Sequence, residues 1–170
     1  MKKGLPKMIL SALFLVLALV LPFVTGQIST LGNMLCPMHL PVLLCGFICG
    51  WKWGLAVGFS APLLRALTLG APVLFPTAVC MALELAAYGF LTGFLDDLFP
   101  HKKIFVYPSL LISMLLGRLV WGAAMFALTG GFTLSAFIAG AFTGALPGII
   151  LQIIVVPPLA MLANQMFSKF

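Results

Sequence analysis

Apolar blocks dominate the chain, and short polar stretches separate them. The blocks run from about 8 to 24, 37 to 50, 53 to 69, 76 to 95 and 106 to 128. A final block, from 132 to 167, is too long for one bilayer crossing, which takes about 20 residues. Pro147 divides it, because the proline ring removes a backbone donor and favours a break. The division leaves an outer helical segment at 134–145 and a sixth span at 147–166. Blocks of this kind predict helices, because only a helix satisfies its own backbone in lipid without a closed barrel around it. The predicted fold is therefore all-α: an integral membrane bundle of six transmembrane helices, with residues 1–170 forming one membrane domain.

Composition sharpens that reading. Of 170 residues, 63% are hydrophobic and only 7% are charged. A soluble domain carries about 25% charged residues, so the solvent here is lipid. The mean hydropathy is +1.24. Lys2, Lys3 and Lys7 before an apolar run look like the start of a signal peptide. Thr25-Gly26-Gln27 is a poor cleavage site, because small residues are wanted at both key positions. The first block is thus read as a retained span.

The formal net charge of +6 predicts no nucleic-acid partner, because in a membrane protein Lys and Arg mark the cytoplasmic side. Lys2, Lys3 and Lys7 precede the first span, and Lys52 lies between the second and third. His101, Lys102 and Lys103 lie between the fourth and fifth, and Lys169 ends the chain. In a six-span arrangement all of these fall on one side. The connections Thr25 to Cys36, Gly70 to Phe75 and Thr129 to Thr133 carry no Lys or Arg. Both termini are therefore expected in the cytoplasm, with a long outer loop after the first helix. Trp51-Lys52-Trp53 reads as a tight inner turn at the membrane interface. Asp96, Asp97 and Pro100 mark a second inner loop.

Three charges fall inside the spans: Arg65 near the outer end of the third, Glu84 in the outer half of the fourth and Arg118 near the middle of the fifth. A central Arg costs at least ~2.5 kcal/mol on insertion scales, so these groups should face protein or a wet cavity. They have two readings. Glu84 pairs with an arginine and locks two helices together, or the three line a polar pocket in which one arginine is free for an anionic ligand. Two arginines against one glutamate favour a carboxylate such as pantothenate. Other polar groups join this set. Glu84 and Tyr88 share a helical face at i, i+4, Gln152 sits one turn into the sixth span, and Trp121 lies about one turn from Arg118.

The stretch from Thr25 to Gly50 has its own pattern. An uncharged polar segment, Thr25 to Asn33, leads into Met34, Cys36, Met38 and His39 at a helix start. In so apolar a chain this reads as a lid over a ligand, with Asn33 and His39 as its contacts. Thioether, thiol and imidazole also suit soft or borderline metals such as Cu(I), Ni or Co, but the spacing matches no strong metal motif, and Pro37 and Pro41 around a helix start explain it without one. Cys36, Cys45, Cys49 and Cys80 form no C-x-x-C pair and read as helix-packing residues. Glycines at i, i+4 recur at Gly46, Gly50, Gly54 and Gly58, at Gly89 and Gly93, and at Gly140, Gly144 and Gly148. Such spacing lets helix backbones approach closely in lipid.

The chain has no G-x-x-x-x-G-K-[ST], no H-E-x-x-H and no G-x-S-x-G, so a P-loop ATPase and the commonest hydrolases are not expected. No cofactor is implied. A stand-alone proton-coupled carrier using Glu84 stays open, although no inverted repeat is visible.

At this point the chain resembles the substrate-binding S components of energy-coupling factor (ECF) vitamin transporters. The likeness is carried by Met38-His39-Leu40-Pro41-Val42 running into Gly46-Phe47-Ile48-Cys49-Gly50, by Phe75-Pro76-Thr77-Ala78 opening the fourth span, and by Gly144-Ala145-Leu146-Pro147-Gly148-Ile149-Ile150-Leu151-Gln152. The resemblance implies a bacterial plasma-membrane protein that captures a water-soluble vitamin or precursor from outside. It implies a ligand covered by the loop after the first span and bounded by the fourth to sixth. It also implies partners, a transmembrane coupling subunit and two ATPases, which would supply the hydrolysis this chain lacks. The family often carries Ala-xxx-Ala in the first span for docking. Here Ala12 is followed by Val16, and Ser11 with Ala18 offers a smooth face instead. The rival readings are a metal (Ni/Co/Cu) permease subunit and the proton-coupled carrier.

Overall fold

The computed structural model describes residues 4–26, 36–99, 105–131 and 133–167. Among the described residues the secondary structure is helical throughout. Helix α1 spans Gly4–Gly26, α2 His39–Cys49 and α3 Trp51–Leu69. A kinked segment, Leu74–Ala78, in which Phe75 is extended (φ −123°, ψ 134°), leads into α4 at Val79–Leu98. Helix α5 spans Val106–Thr129. The short α6, Leu134–Ile138, continues as a π-helical turn, Ala139–Thr143, before α7 at Leu146–Phe167.

Four of these are long and apolar enough to cross a membrane: Pro6–Val24, Leu74–Leu98, Val106–Thr129 and Leu146–Ala163. With 19 residues, α3 is long enough, but Lys52 and Arg65 dilute its apolar character. Helix α2 has only 11 residues, about 16 Å at 1.5 Å per residue, roughly half the hydrocarbon thickness.

The placement of α2 explains how so short a helix is kept. It packs against α1, α3, α4 and α7. His39, Pro41, Val42, Leu43, Cys45, Gly46, Phe47 and Cys49 are all buried, so they cover most of its circumference. A helix walled in by protein need not match the lipid. Val42, Leu43 and Phe47 form the middle of the core with Leu85, Tyr88, Leu110 and Val156.

The tightest packing joins α2 and α3 to α4, with small residues at the contact. Gly50, at φ 94°, turns the chain between α2 and α3 in a backbone region that L side chains rarely enter. Trp51-Lys52-Trp53 is not itself the turn: it is the first turn of α3, with Lys52 Nζ 5.3 Å from the centre of the Trp51 ring. A Cβ on Gly54 would overlap the Gly89 carbonyl, one on Gly58 the backbone of Leu85, and one on Gly93 the backbone of Trp51. The register 51 to 93, 54 to 89 and 58 to 85 makes α3 and α4 antiparallel. Gly54, Gly58, Gly89 and Gly93 thus form a backbone-to-backbone seam inside this chain.

Three other expectations are corrected. Ser11 and Ala18 do not form a free docking face. They are buried against the bundle with Phe14, while Ala12 and Val16 point outward. Helicity runs through Asp96 and Asp97 to Leu98, so these acids end α4 and are not in a loop. The break before the last helix falls at Gly144 and Ala145. Pro147 lies in the first turn of α7, where its missing N–H would have no intrahelical partner anyway.

Candidate functional site

The polar groups of the bundle converge where α2, α4 and α5 meet. The start of α2 contributes His39, α4 contributes Glu84 and Tyr88 one turn apart, and α5 contributes Arg118. Helix α5 can approach α4 here because Gly117 leaves room for the Tyr88 ring, which a Cβ at that position would overlap.

Glu84 is the centre of the cluster and is 2% exposed. Its Oε1 lies 3.0 Å from Arg118 Nη1. The Tyr88 hydroxyl donates to the same oxygen at 3.0 Å, and His39 Nε2 stands 3.6 Å away. The His39 and Tyr88 rings are 5.4 Å apart, centre to centre. Arg118 Nη2 points at Cys36 Sγ, 3.9 Å away. The ion pair is therefore shielded on several sides, and in such surroundings a charge is tolerated only when paired and hydrogen-bonded.

The cluster is not saturated. His39 Nδ1 and Nε2, Arg118 Nε and both amide atoms of Gln152 are buried without a hydrogen-bond partner. Gln152 sits on α7, which packs against α2 and α5, the helices carrying His39 and Arg118. Each buried polar group left unpaired costs about 1–3 kcal/mol. Those on His39 and Arg118 belong to the side chains that meet Glu84.

The predicted site residues divide accordingly. His39, Glu84, Tyr88 and Arg118 come together, and Gln152 is buried on an adjoining helix. Arg65 does not join them. Its Nη1 donates to the Leu19 carbonyl of α1 at 3.1 Å, and its guanidinium lies 5.2 Å from the centre of the Phe23 ring. The glutamate thus pairs with Arg118, and the surplus positive charge expected at the site is absent from it among the described residues. Trp121, one turn along α5 from Arg118, stacks 6.3 Å from Phe137 of α6 and lies against Gly140. Beside it, Leu119, Gly122, Ala123, Phe126, Thr133, Leu134 and Phe137 line an apolar groove of about 370 Å³. Asn33 lies outside the described residues, as does the part of the lid within 27–35.

Cys36 was not expected at the site. Its one signal was the Met-Cys-His cluster, which read more readily as packing or metal. Cys36 takes a left-handed backbone, φ 46°, uncommon for a residue other than glycine. This turn brings its sulfur to Arg118. Burial pushes the thiol up from its ordinary value. A guanidinium beside the sulfur opposes a cation. Among the described residues no three His, Cys, Asp or Glu side chains gather as a metal site.

Residues 6–160 match the family model for the ECF transporter, substrate-specific component. A comparison with curated proteins and one with solved structures each find no match.

Proposed function

The chain belongs to the substrate-specific components of ECF transporters, and on that premise we propose that the Glu84–Arg118 cluster is where it captures a water-soluble vitamin or precursor. Proteins of this family are transport subunits and not enzymes, and the long apolar helices make this one a multi-pass membrane protein. The observation that carries the reading of the site is the buried ion pair with unpartnered polar atoms on His39 and Arg118 beside it and on Gln152 of the adjoining helix. Small-molecule sites have this form, with apolar walls and a few placed polar groups.

The finer arrangement follows as part of the same proposal. Residues 1–170 form one domain of six spans, with α2 and α3 as the second and third. Both termini are cytoplasmic, and the protein sits in a bacterial plasma membrane. The segment after α1 faces outward as a lid, and Asn33 and His39 belong to its contact with the ligand. A transmembrane coupling subunit and two ATPases dock from the membrane and the cytoplasm and drive release inside. Ser11 and Ala18 are occupied within the bundle, so the docking face must use other residues. A pantothenate-like carboxylate would find Arg118 already paired with Glu84.

Two measurements test this reading. The tagged chain, expressed with its genomic neighbours, should co-purify with a large membrane subunit and two ATPases. Vitamin uptake into cells should stop when those ATPases are inactivated. Uptake that persists without them would mean a stand-alone carrier, with Glu84 as its candidate proton site.

A further inference from the structure

The cluster is electrically closed. Glu84 carries one negative charge and Arg118 one positive, and at 3.0 Å the two neutralise each other. Arg118 Nη1, the Tyr88 hydroxyl and His39 Nε2 all converge on one glutamate oxygen. What is left over is hydrogen-bonding capacity without net charge. The Arg118 Nε–H can donate, His39 Nδ1 faces no partner, and the Gln152 amide on the adjoining α7 can both donate and accept.

A carboxylate entering here would bring a second negative charge close to Glu84, and like charges sharing a buried site are strongly disfavoured. To reach Arg118 Nη1 it would have to displace Glu84 and leave that group buried without its ion partner, the costly case for a charge. An uncharged ligand meets neither obstacle, because it can satisfy the leftover donors and acceptors while the ion pair stays intact.

We propose that this site selects a net-uncharged, hydrogen-bonding ligand (an amide, an alcohol or a neutral heterocycle) over the corresponding carboxylate, and that Glu84 sets this preference by holding Arg118. The proposal rests on the capture reading given above. Glu84 acts here as an internal counter-ion that substitutes for the anionic group of a substrate. Replacing it with glutamine keeps an oxygen that can accept from Arg118 and Tyr88 but frees the positive charge.

The test uses the full chain in lipid nanodiscs and a panel of water-soluble vitamins with matched neutral and carboxylate twins. The panel includes nicotinamide with nicotinate and pantothenol with pantothenate, together with riboflavin and cationic thiamine. Thermal shift finds the binders, and calorimetry measures them. For wild type, the uncharged member of a binding pair is expected to bind at least tenfold more tightly than its carboxylate twin. Glu84→Gln should reverse that order. If the single variant does not fold, Glu84→Gln combined with Arg118→Gln removes both charges and should still favour the uncharged twin. Tighter binding of a carboxylate or of thiamine to wild type would overturn the charge rule. So would a Glu84→Gln protein that keeps the wild-type order, or a double variant that prefers the carboxylate. No shift from any member of the panel would instead overturn the capture of a water-soluble vitamin itself.

Discussion

Helix α4 has two faces, and they have opposite properties. One carries Gly89 and Gly93 against α2 and α3. There backbone lies on backbone, and the nearby Thr92 hydroxyl donates to the Tyr88 carbonyl at 2.8 Å, so nothing polar is wanting. The other carries Glu84 and Tyr88 toward His39 and Arg118, and several polar atoms around them have no partner. The first face is complete in the chain alone. On the capture reading, the second is completed by the ligand. In lipid, where helices gain little from hiding apolar surface, close packing and hydrogen bonds carry association. The glycine seam supplies the stability that lets the other face remain unsatisfied.

The largest effect is expected from breaking the seam. Gly89→Leu places a side chain into the Gly54 backbone, and the cost should exceed the ~1–3 kcal/mol of ordinary overpacking. The variant should yield no monodisperse folded protein in gel filtration. Glu84→Ala comes next. It leaves Arg118 buried and unpaired, which costs about 3–5 kcal/mol, read as a lower Tm in mild detergent. Glu84→Ala with Arg118→Leu should recover most of that loss, because no buried charge remains.

Gln152→Leu separates the two faces most clearly. It removes two unsatisfied atoms, so the empty protein should gain about 1–3 kcal/mol, while vitamin binding weakens. Lower stability from this variant would mean that the amide has a structural partner. Arg65→Ala should matter least. It deletes a hydrogen bond to Leu19 worth about 1 kcal/mol and should leave ligand affinity unchanged. A tenfold loss of affinity would bring Arg65 back into the site.

The same contrast explains what the sequence could and could not disclose. The helices are visible as apolar runs, and the i, i+4 spacing of Glu84 and Tyr88 already places them on one face. The glycine repeats mark the seam, although not which helices it joins. Rotation about each helix axis is harder to read. In water an amphipathic stripe tells which side faces inward, but in lipid both sides are apolar. Ser11 and Ala18 on α1 therefore read as a free face and proved buried. Counting charges failed for a related reason. Arg65 and Arg118 are equivalent in a count, yet one bonds a carbonyl of α1 and the other meets Glu84. Cys36 reaches Arg118 through a local left-handed turn that no periodicity encodes.

Native mass spectrometry of the purified protein bears most directly on the claim that the unsatisfied face of α4 is a capture site. Wild type, released gently from detergent, should carry one small molecule at close to one per chain. His39→Ala combined with Gln152→Leu, in a folded protein, should lose most of it, because the hydrogen-bonding groups beside the ion pair are gone. A wild-type chain with no bound molecule, or equal retention by the double variant, would contradict the account.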